Sequence, residues 1–323
     1  MRRGLLAGLA AVLLILVAGG TFALVRDASG AATADGASRS PGPGIASAAT
    51  GSSPETGRSE SPSPSPFPSP SVTPKPSAAA HAAVAAAPSF FGTLPPGAAL
   101  PSGAQCARWV LARPTPERKG ANLAFNRATG QHVGSDFFPA GDTPQADQLL
   151  APRIDGDFTG TTSEILRWAA CKWGINQNIV FAQAAVESWW NQTTLGDWGT
   201  DASACPPGHG LGADGTAGQC PQSYGILQNR YPFEQASWPG IADSTAMNAD
   251  TAYAIWRSCY DGYETWLNNV PHGSTYQAGD AWGCVGRWFA GRWDTAAANQ
   301  YVAKVKQYLA ERIWTTPDFQ QLG

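Results

Sequence analysis

The sequence predicts a mainly α-helical globular domain with long loops, carried behind an apolar N-terminal segment and a disordered Ala/Ser/Pro-rich spacer. Three observations predict it. Apolar residues recur at helical spacing in several stretches between residues 161 and 314, while no strong run of alternating apolar and polar residues marks a strand. All 13 Trp and all 6 Cys fall after residue 99. Residues 28–98, by contrast, are dominated by Ala, Ser, Pro, Gly and Thr and cannot bury enough apolar surface to fold.

Residues 1–27 read as a signal peptide or signal anchor. Arg2 and Arg3 make a basic start, Gly4 to Val25 carry no charge, and Arg26-Asp27 close the run. That length meets the ~20 apolar residues a bilayer crossing needs, and Thr21-Phe22-Ala23 offers a small-x-small cleavage site. Cleaved or retained, the basic start leaves the rest of the chain outside the cytoplasm, secreted or membrane-anchored, with any membrane contact confined to this segment. In the 28–98 spacer, Ser61-Pro62-Ser63-Pro64-Ser65-Pro66 opens a Ser/Pro repeat that favours extended polyproline-like chain, roughly 3 Å per residue.

Residues 99–323 have the length of one domain. An even cysteine count on an exported chain implies disulfides. Six cysteines allow 15 pairings. Proximity in the chain favours Cys205 with Cys220 and Cys259 with Cys284, leaving Cys106 with Cys171. No Cys-x-x-Cys pair occurs and His132, His209 and His272 are scattered, so no metal and no cofactor is expected. Asp155 and Asp157 lack the rest of a calcium loop. A net charge of -3 without a basic cluster argues against nucleic acid.

Within this domain, residues 99–160, with Asn122, Asn126 and the turn Asp155-Gly156-Asp157, form an unassigned extension wrapping the core. Thr161-Thr162-Ser163-Glu164 is a capping box opening a helix that runs to Trp173 and stops at Gly174. A second helix starts at Asn176 or Asn178 and buries Ile179, Ala182, Gln183 and Val186 on one face. Residues 192–223 read as loop, Tyr224 to Gln228 as a small hairpin, and 246–260 and 295–314 as further helices. The last presents Tyr301, Val302, Val305, Leu309 and Ile313 at helical spacing.

Glu187 is the residue with the clearest chemistry. It stands in the last turn of the second helix, one position off the buried face and beside Trp189 and Trp190. An apolar, aromatic neighbourhood and the negative end of the helix dipole both disfavour a carboxylate there. A carboxyl group kept protonated near neutral pH is what protonating a leaving oxygen requires.

Four short motifs extend that reading: Glu187-Ser188 at a helix end, Gly225-Ile226-Leu227-Gln228, Phe289-Ala290-Gly291, and Tyr301-Val302-Ala303-Lys304-Val305. In this order they resemble the lytic transglycosylase and goose-type lysozyme branch of the lysozyme-like superfamily. The chain departs from that pattern by a longer stretch between Glu187 and Gly225, which holds Cys205 and Cys220. Trp288-Phe289 also stand where the family has an aromatic-Asn pair.

The resemblance implies a peptidoglycan lytic transglycosylase acting on glycan strands as a monomer. Glu187 would be its single catalytic acid, and Ser188, Tyr224, Gly225, Gln228 and Tyr301 would contact substrate. Trp190 and Trp198 are the expected sugar-stacking residues because they follow Glu187 in a loop. A goose-type hydrolase using Asp197, Asp201 or Asp214 to activate water is the alternative. A non-catalytic wall-binding or scaffold protein would need no acid.

Overall fold

The structure is a computed structural model that describes residues 92–321. The expected export segment and most of the spacer lie outside the described residues. Residues read as the end of the spacer belong to the globule. Leu94 N–H donates to the Gly174 carbonyl at 2.9 Å, and the buried Arg257 guanidinium donates to the Leu94 and Pro95 carbonyls at 3.2 and 2.7 Å. The domain therefore starts before residue 99, because a buried cation recruits those carbonyls as acceptors.

The fold is mainly helical, as the periodicity predicts. Helix α1 (Gly103–Leu111) opens it with a complete capping box between Ser102 and Gln105. The 99–160 reading missed this helix, since only Cys106 and Val110 of its residues are buried and so thin a stripe carries little periodic signal. Helix α2 (Thr162–Trp173) has the predicted box, Thr161 with Glu164, and ends at Gly174 with φ +61°. Helix α3 (Gln177–Ser188) follows, and Asn176 is its cap. The single turn α4 (Gly240–Asp243) leads into α5 (Thr245–Asp261), capped by Ser244 and closed by Gly262 at φ +92°.

Helix α6 (Ala281–Ala290) takes Asp280 as its cap, so the expected Phe289-Ala290-Gly291 turn is the end of a helix with Gly291 left-handed. The expected 295–314 helix divides in two. Helix α7 (Ala296–Glu311) stops at Arg312, φ +46°, and a separate short turn, Ile313–Thr315, precedes α8 (Pro317–Gln321).

Helix α2 packs against α1, α3 and α5, α3 also against α7, and α6 lies on α5 and α7. One buried carboxylate ties several of these pieces together. Asp250 of α5 accepts from Lys172 Nζ and Trp173 Nε1, each at 2.7 Å, and from the Asp155 and Gly156 N–H groups at 2.9 Å. Asp155 itself takes Lys172 at 2.7 Å, so the 155–157 turn is an anchor for α2 and α5.

The predicted hairpin is β2 (Ser223–Tyr224) with β3 (Asn229–Arg230), antiparallel, Tyr224 opposite Asn229. A third strand, β1 (Leu195–Gly196), lies in the stretch read as loop and pairs with β2, Leu195 opposite Tyr224. Two-residue strands are too short to show alternation, which is why the sequence hides β1.

The three disulfides are Cys106–Cys171, Cys205–Cys220 and Cys259–Cys284, the proximity pairing, with Cα separations of 5.7, 5.7 and 5.8 Å. They join α1 to α2, close the loop before β2, and join α5 to α6. Such bonds belong to an oxidising, extracytoplasmic compartment. No helix among the described residues is long and apolar enough to cross a membrane.

Candidate active site

Helix α3 delivers Glu187 from the middle of the core. The sequence suggests one buried face, but Ile179 to Ala185 are buried on every side and Val186 only half. The physical reason is its position between α2 and α7, which leaves only its last turn near solvent. Glu187 is half-buried there. The helix ends because Trp189 and Trp190 both adopt left-handed backbone, φ +57° and +64°. That conformation is uncommon for bulky side chains and persists only where packing enforces it.

The packing is visible. Trp189 lies on Tyr308 and Phe319 at 5.8 and 4.8 Å, and Trp190 on Phe181 and Phe319 at 4.9 and 5.1 Å. The Trp190 indole N–H donates to the Phe181 carbonyl at 2.9 Å, and the residue is 4% exposed. Trp190 is thus a core residue rather than a sugar platform: its left-handed backbone turns the ring inward. Trp198, beside the Gly199–Cys220 bridge, is half-buried.

Tyr301 of α7 reaches Glu187 across the bundle. Its hydroxyl donates to Glu187 Oε1 at 2.5 Å, and its ring is 2% exposed. On the α5 side stands Tyr253, whose phenol is raised well above the usual range, first by complete burial and then by the negative charge of Glu187. The carboxyl group therefore has one tyrosine as its hydrogen-bond donor and a second near enough to feel its charge.

Ser188 connects this helix end to the hairpin. Its hydroxyl donates to the Ile226 carbonyl at 2.8 Å and accepts from Asn191 N–H at 3.1 Å. The turn Gly225 to Gln228 is held from beneath by two buried amides. Gln192 Oε1 accepts from Ile226 N–H at 3.1 Å, and Asn248 Oδ1 from Leu227 N–H at 3.0 Å. Gly225, φ +79°, is buried, and a Cβ there would meet Asn248 Nδ2 at 2.3 Å and Gln192 Nε2 at 2.6 Å. Its glycine accommodates those amides, not a sugar backbone as expected.

Gln228 is likewise turned inward, its amide donating to the Thr194 and Gly225 carbonyls at 3.1 and 2.8 Å. Tyr224 is 1% exposed, with its hydroxyl on the Pro221 carbonyl at 3.0 Å and its ring against Trp238 and His209. Burial pushes that phenol up, with the Asp214 charge adding to it. Ser188, Tyr224, Gly225 and Gln228 therefore build and hold the wall beside Glu187; their polar groups are occupied within the protein.

Three supporting residues were not singled out for the site by the sequence: Gln192, Asn248 and Asn122. The Asn122 amide donates to the Trp190 carbonyl at 2.7 Å and accepts from Gln192 N–H at 2.8 Å, fixing the chain just beyond the left-handed turn. Asn248 alone carries a local signal, a polar amide within the helix read at 246–260; Gln192 and Asn122 stand in stretches read as loop and extension.

Each loop aspartate has its own partner. Ser223 Oγ donates to Asp197 Oδ2 at 2.5 Å, with Arg230 Nε 3.8 Å away. Exposed Asp201 caps the turn at 202–204, and bonds from the Ser203 hydroxyl and N–H hold its carboxyl below the usual range. Asp214 Oδ1 lies 2.9 Å from His209 Nδ1, whose ring packs against both Tyr224 and Trp238. No group of three or more metal-binding side chains gathers among the described residues.

No protein-family model, no curated protein and no solved structure matches the chain.

Proposed function

We propose that this protein is a peptidoglycan lytic transglycosylase of the lysozyme-like superfamily, cleaving the β-1,4 bond between N-acetylmuramic acid and N-acetylglucosamine. The observation that carries the reading is the Glu187–Tyr301 pair: a half-buried carboxyl at the mouth of a buried helix, held in one orientation by a 2.5 Å hydrogen bond. Its four motifs also meet in space. Glu187-Ser188 touches the Gly225–Gln228 turn through Ile226, and Tyr301 touches both Glu187 and Phe289.

In this mechanism Glu187 gives its proton to the glycosidic oxygen as the bond from C1 of muramic acid breaks. The C6 hydroxyl of the same sugar then attacks C1 and returns its proton to the Glu187 carboxylate. The product carries a 1,6-anhydro ring, water is not consumed, and the enzyme regains its proton. Attack from within the substrate needs no second carboxylate to activate a nucleophile, and it has the advantage of proximity. The glycan strand is the partner, reached by a secreted or membrane-anchored monomer facing the cell wall; the three disulfides support that placement.

A goose-type hydrolase is the second reading, and Asp197 is the observation in its favour, since it is the loop carboxylate that the sheet itself holds, through Ser223 and Arg230. Product analysis separates the two. Peptidoglycan is digested with the purified protein, the fragments are treated with borohydride, and the new ends are analysed by mass spectrometry. Anhydro ends that resist reduction are the expected result; freshly cut ends that are reduced would replace the transglycosylase by the hydrolase.

A further inference from the structure

We infer that Phe289 is a positioning residue for the catalytic carboxyl: its ring, laid flat on Tyr301, fixes the direction in which the Tyr301 hydroxyl meets Glu187. The inference rests on the proposed function and goes beyond the motif match, which says nothing of how α6 acts on the acid.

The geometry is specific. The Phe289 and Tyr301 rings are 4.7 Å apart between centroids and only 4° from parallel. Four other aromatic pairs near the Glu187 helix end are tilted or edge-on: Trp189 with Tyr308 and Phe319, and Trp190 with Phe181 and Phe319. A flat neighbour blocks the whole phenol from swinging toward it about the Cα–Cβ bond, the motion that displaces the hydroxyl oxygen, whereas an edge contact covers only a strip of the ring. Tyr301 needs such a constraint, because a phenol that pivots would swing its hydroxyl off the Glu187 oxygen 2.5 Å away.

The platform is itself firmly seated. Phe289 lies in the last turn of α6, just before the left-handed Gly291, and Gly286 one turn earlier allows α6 to approach α7 closely. A Cβ at Gly286 would meet the Ala298 Cβ at 3.1 Å and a Val302 methyl at 3.2 Å. Cys284 of the same helix is bonded to Cys259 of α5. The chain of constraint therefore runs from α5 through a covalent bond to α6, by ring stacking to α7, and by one hydrogen bond to α3.

The test compares Phe289→Leu and Phe289→Met, which keep apolar bulk without a flat ring, with Phe289→Trp, which restores a flat ring. Each is made in the full-length protein and again in a Tyr301→Phe background. Turnover of soluble glycan strands should fall about ten- to a hundredfold in kcat for the Leu and Met variants, as a misplaced catalytic group does. KM and melting temperature should stay near wild type, and Phe289→Trp should recover most of the loss. In the Tyr301→Phe background the Leu and Met variants should cost nothing further, since residues acting through one contact are not additive.

Crystal structures of the variants give a readout independent of turnover: the Tyr301–Glu187 contact should be broken or lengthened with Leu or Met and kept with Trp. Wild-type kcat in both flat-ring deletions, a full additional loss in the Tyr301→Phe background, or an intact Tyr301–Glu187 contact in their crystals would overturn the inference. A wild-type protein that produces no anhydro ends would instead overturn the functional reading, and the crystallographic comparison would still decide whether Phe289 positions Tyr301.

Discussion

The hydroxyl of Ser188 donates to the carbonyl of Ile226 at 2.8 Å, so the residue after the candidate acid is bonded to the hairpin turn. The same oxygen accepts from Asn191 N–H at 3.1 Å. Ser188→Ala removes both and leaves the buried Ile226 carbonyl unpaired, while Asn191 N–H keeps its second acceptor, the Ser188 carbonyl at 3.1 Å, a loss of ~1–3 kcal/mol. Urea denaturation should show that decrease with an unchanged m-value. An Ala variant as stable as wild type would mean that another group satisfies Ile226.

Glu187→Gln keeps an oxygen to accept the Tyr301 hydroxyl but has no proton to transfer. Glycan cleavage should fall at least ~10²-fold, the contribution expected of a positioned general acid. The thermal midpoint should change little, because the packing of α3 is untouched. Wild-type turnover by a folded Gln variant would remove Glu187 from the mechanism.

Gly225→Ala should be among the more damaging small substitutions. Left-handed backbone costs an alanine ~1–2 kcal/mol. The new Cβ also meets Asn248 Nδ2 at 2.3 Å, and that amide cannot retreat without releasing the Tyr224 and Ile241 carbonyls it holds at 2.8 and 2.7 Å. Unpairing buried groups adds ~1–3 kcal/mol. Calorimetry of the Ala variant checks this; a midpoint equal to wild type would show that the hairpin turn tolerates the shift.

Glu264 makes stability depend on pH. It is buried, with Oε2 against Arg287 Nε at 2.5 Å and Oε1 unpaired, and burial raises its carboxyl to about 8. Arg287 opposes that rise, while Asp142 nearby adds to it. The native state thus holds a proton that the unfolded chain releases in the ordinary carboxyl range. Stability from this group is fully present below that range and is lost as pH rises through about 8. Melting temperatures measured from pH 5 to pH 9 should fall in the wild type and flatten in Glu264→Gln. An unchanged slope in the Gln variant would assign the pH dependence to other groups.

Much of the frame was legible in the chain itself because its signals are local. Thr161 with Glu164, Gly174 and the periodic apolar residues of α2, α5 and α7 mark those helices within a few residues of each boundary. Cysteine proximity indicated the correct three pairs. Glu187 could be singled out for a similar reason: a carboxylate at the end of an apolar helical run is unusual wherever the helix is placed.

What tertiary structure alone decided is which groups face one another. Trp190 reads as an aromatic residue in a loop and Tyr224 as the start of a hairpin, yet left-handed backbone at Trp190 and the inward packing of both make them core, and no local pattern encodes a direction set by partners elsewhere in the chain. Gly225 reads as an open glycine turn, but Asn248 and Gln192, from separate elements, fill the space beside it. By itself the sequence determined α2, α3, α5 and most of α7, the disulfide pairing and a candidate acid, because propensity, capping and cysteine spacing act over short range. The contact of Tyr301 with Glu187, and of Phe289 with Tyr301, depends on how α3, α6 and α7 pack, a long-range arrangement that buried surface and side-chain shape settle only in three dimensions.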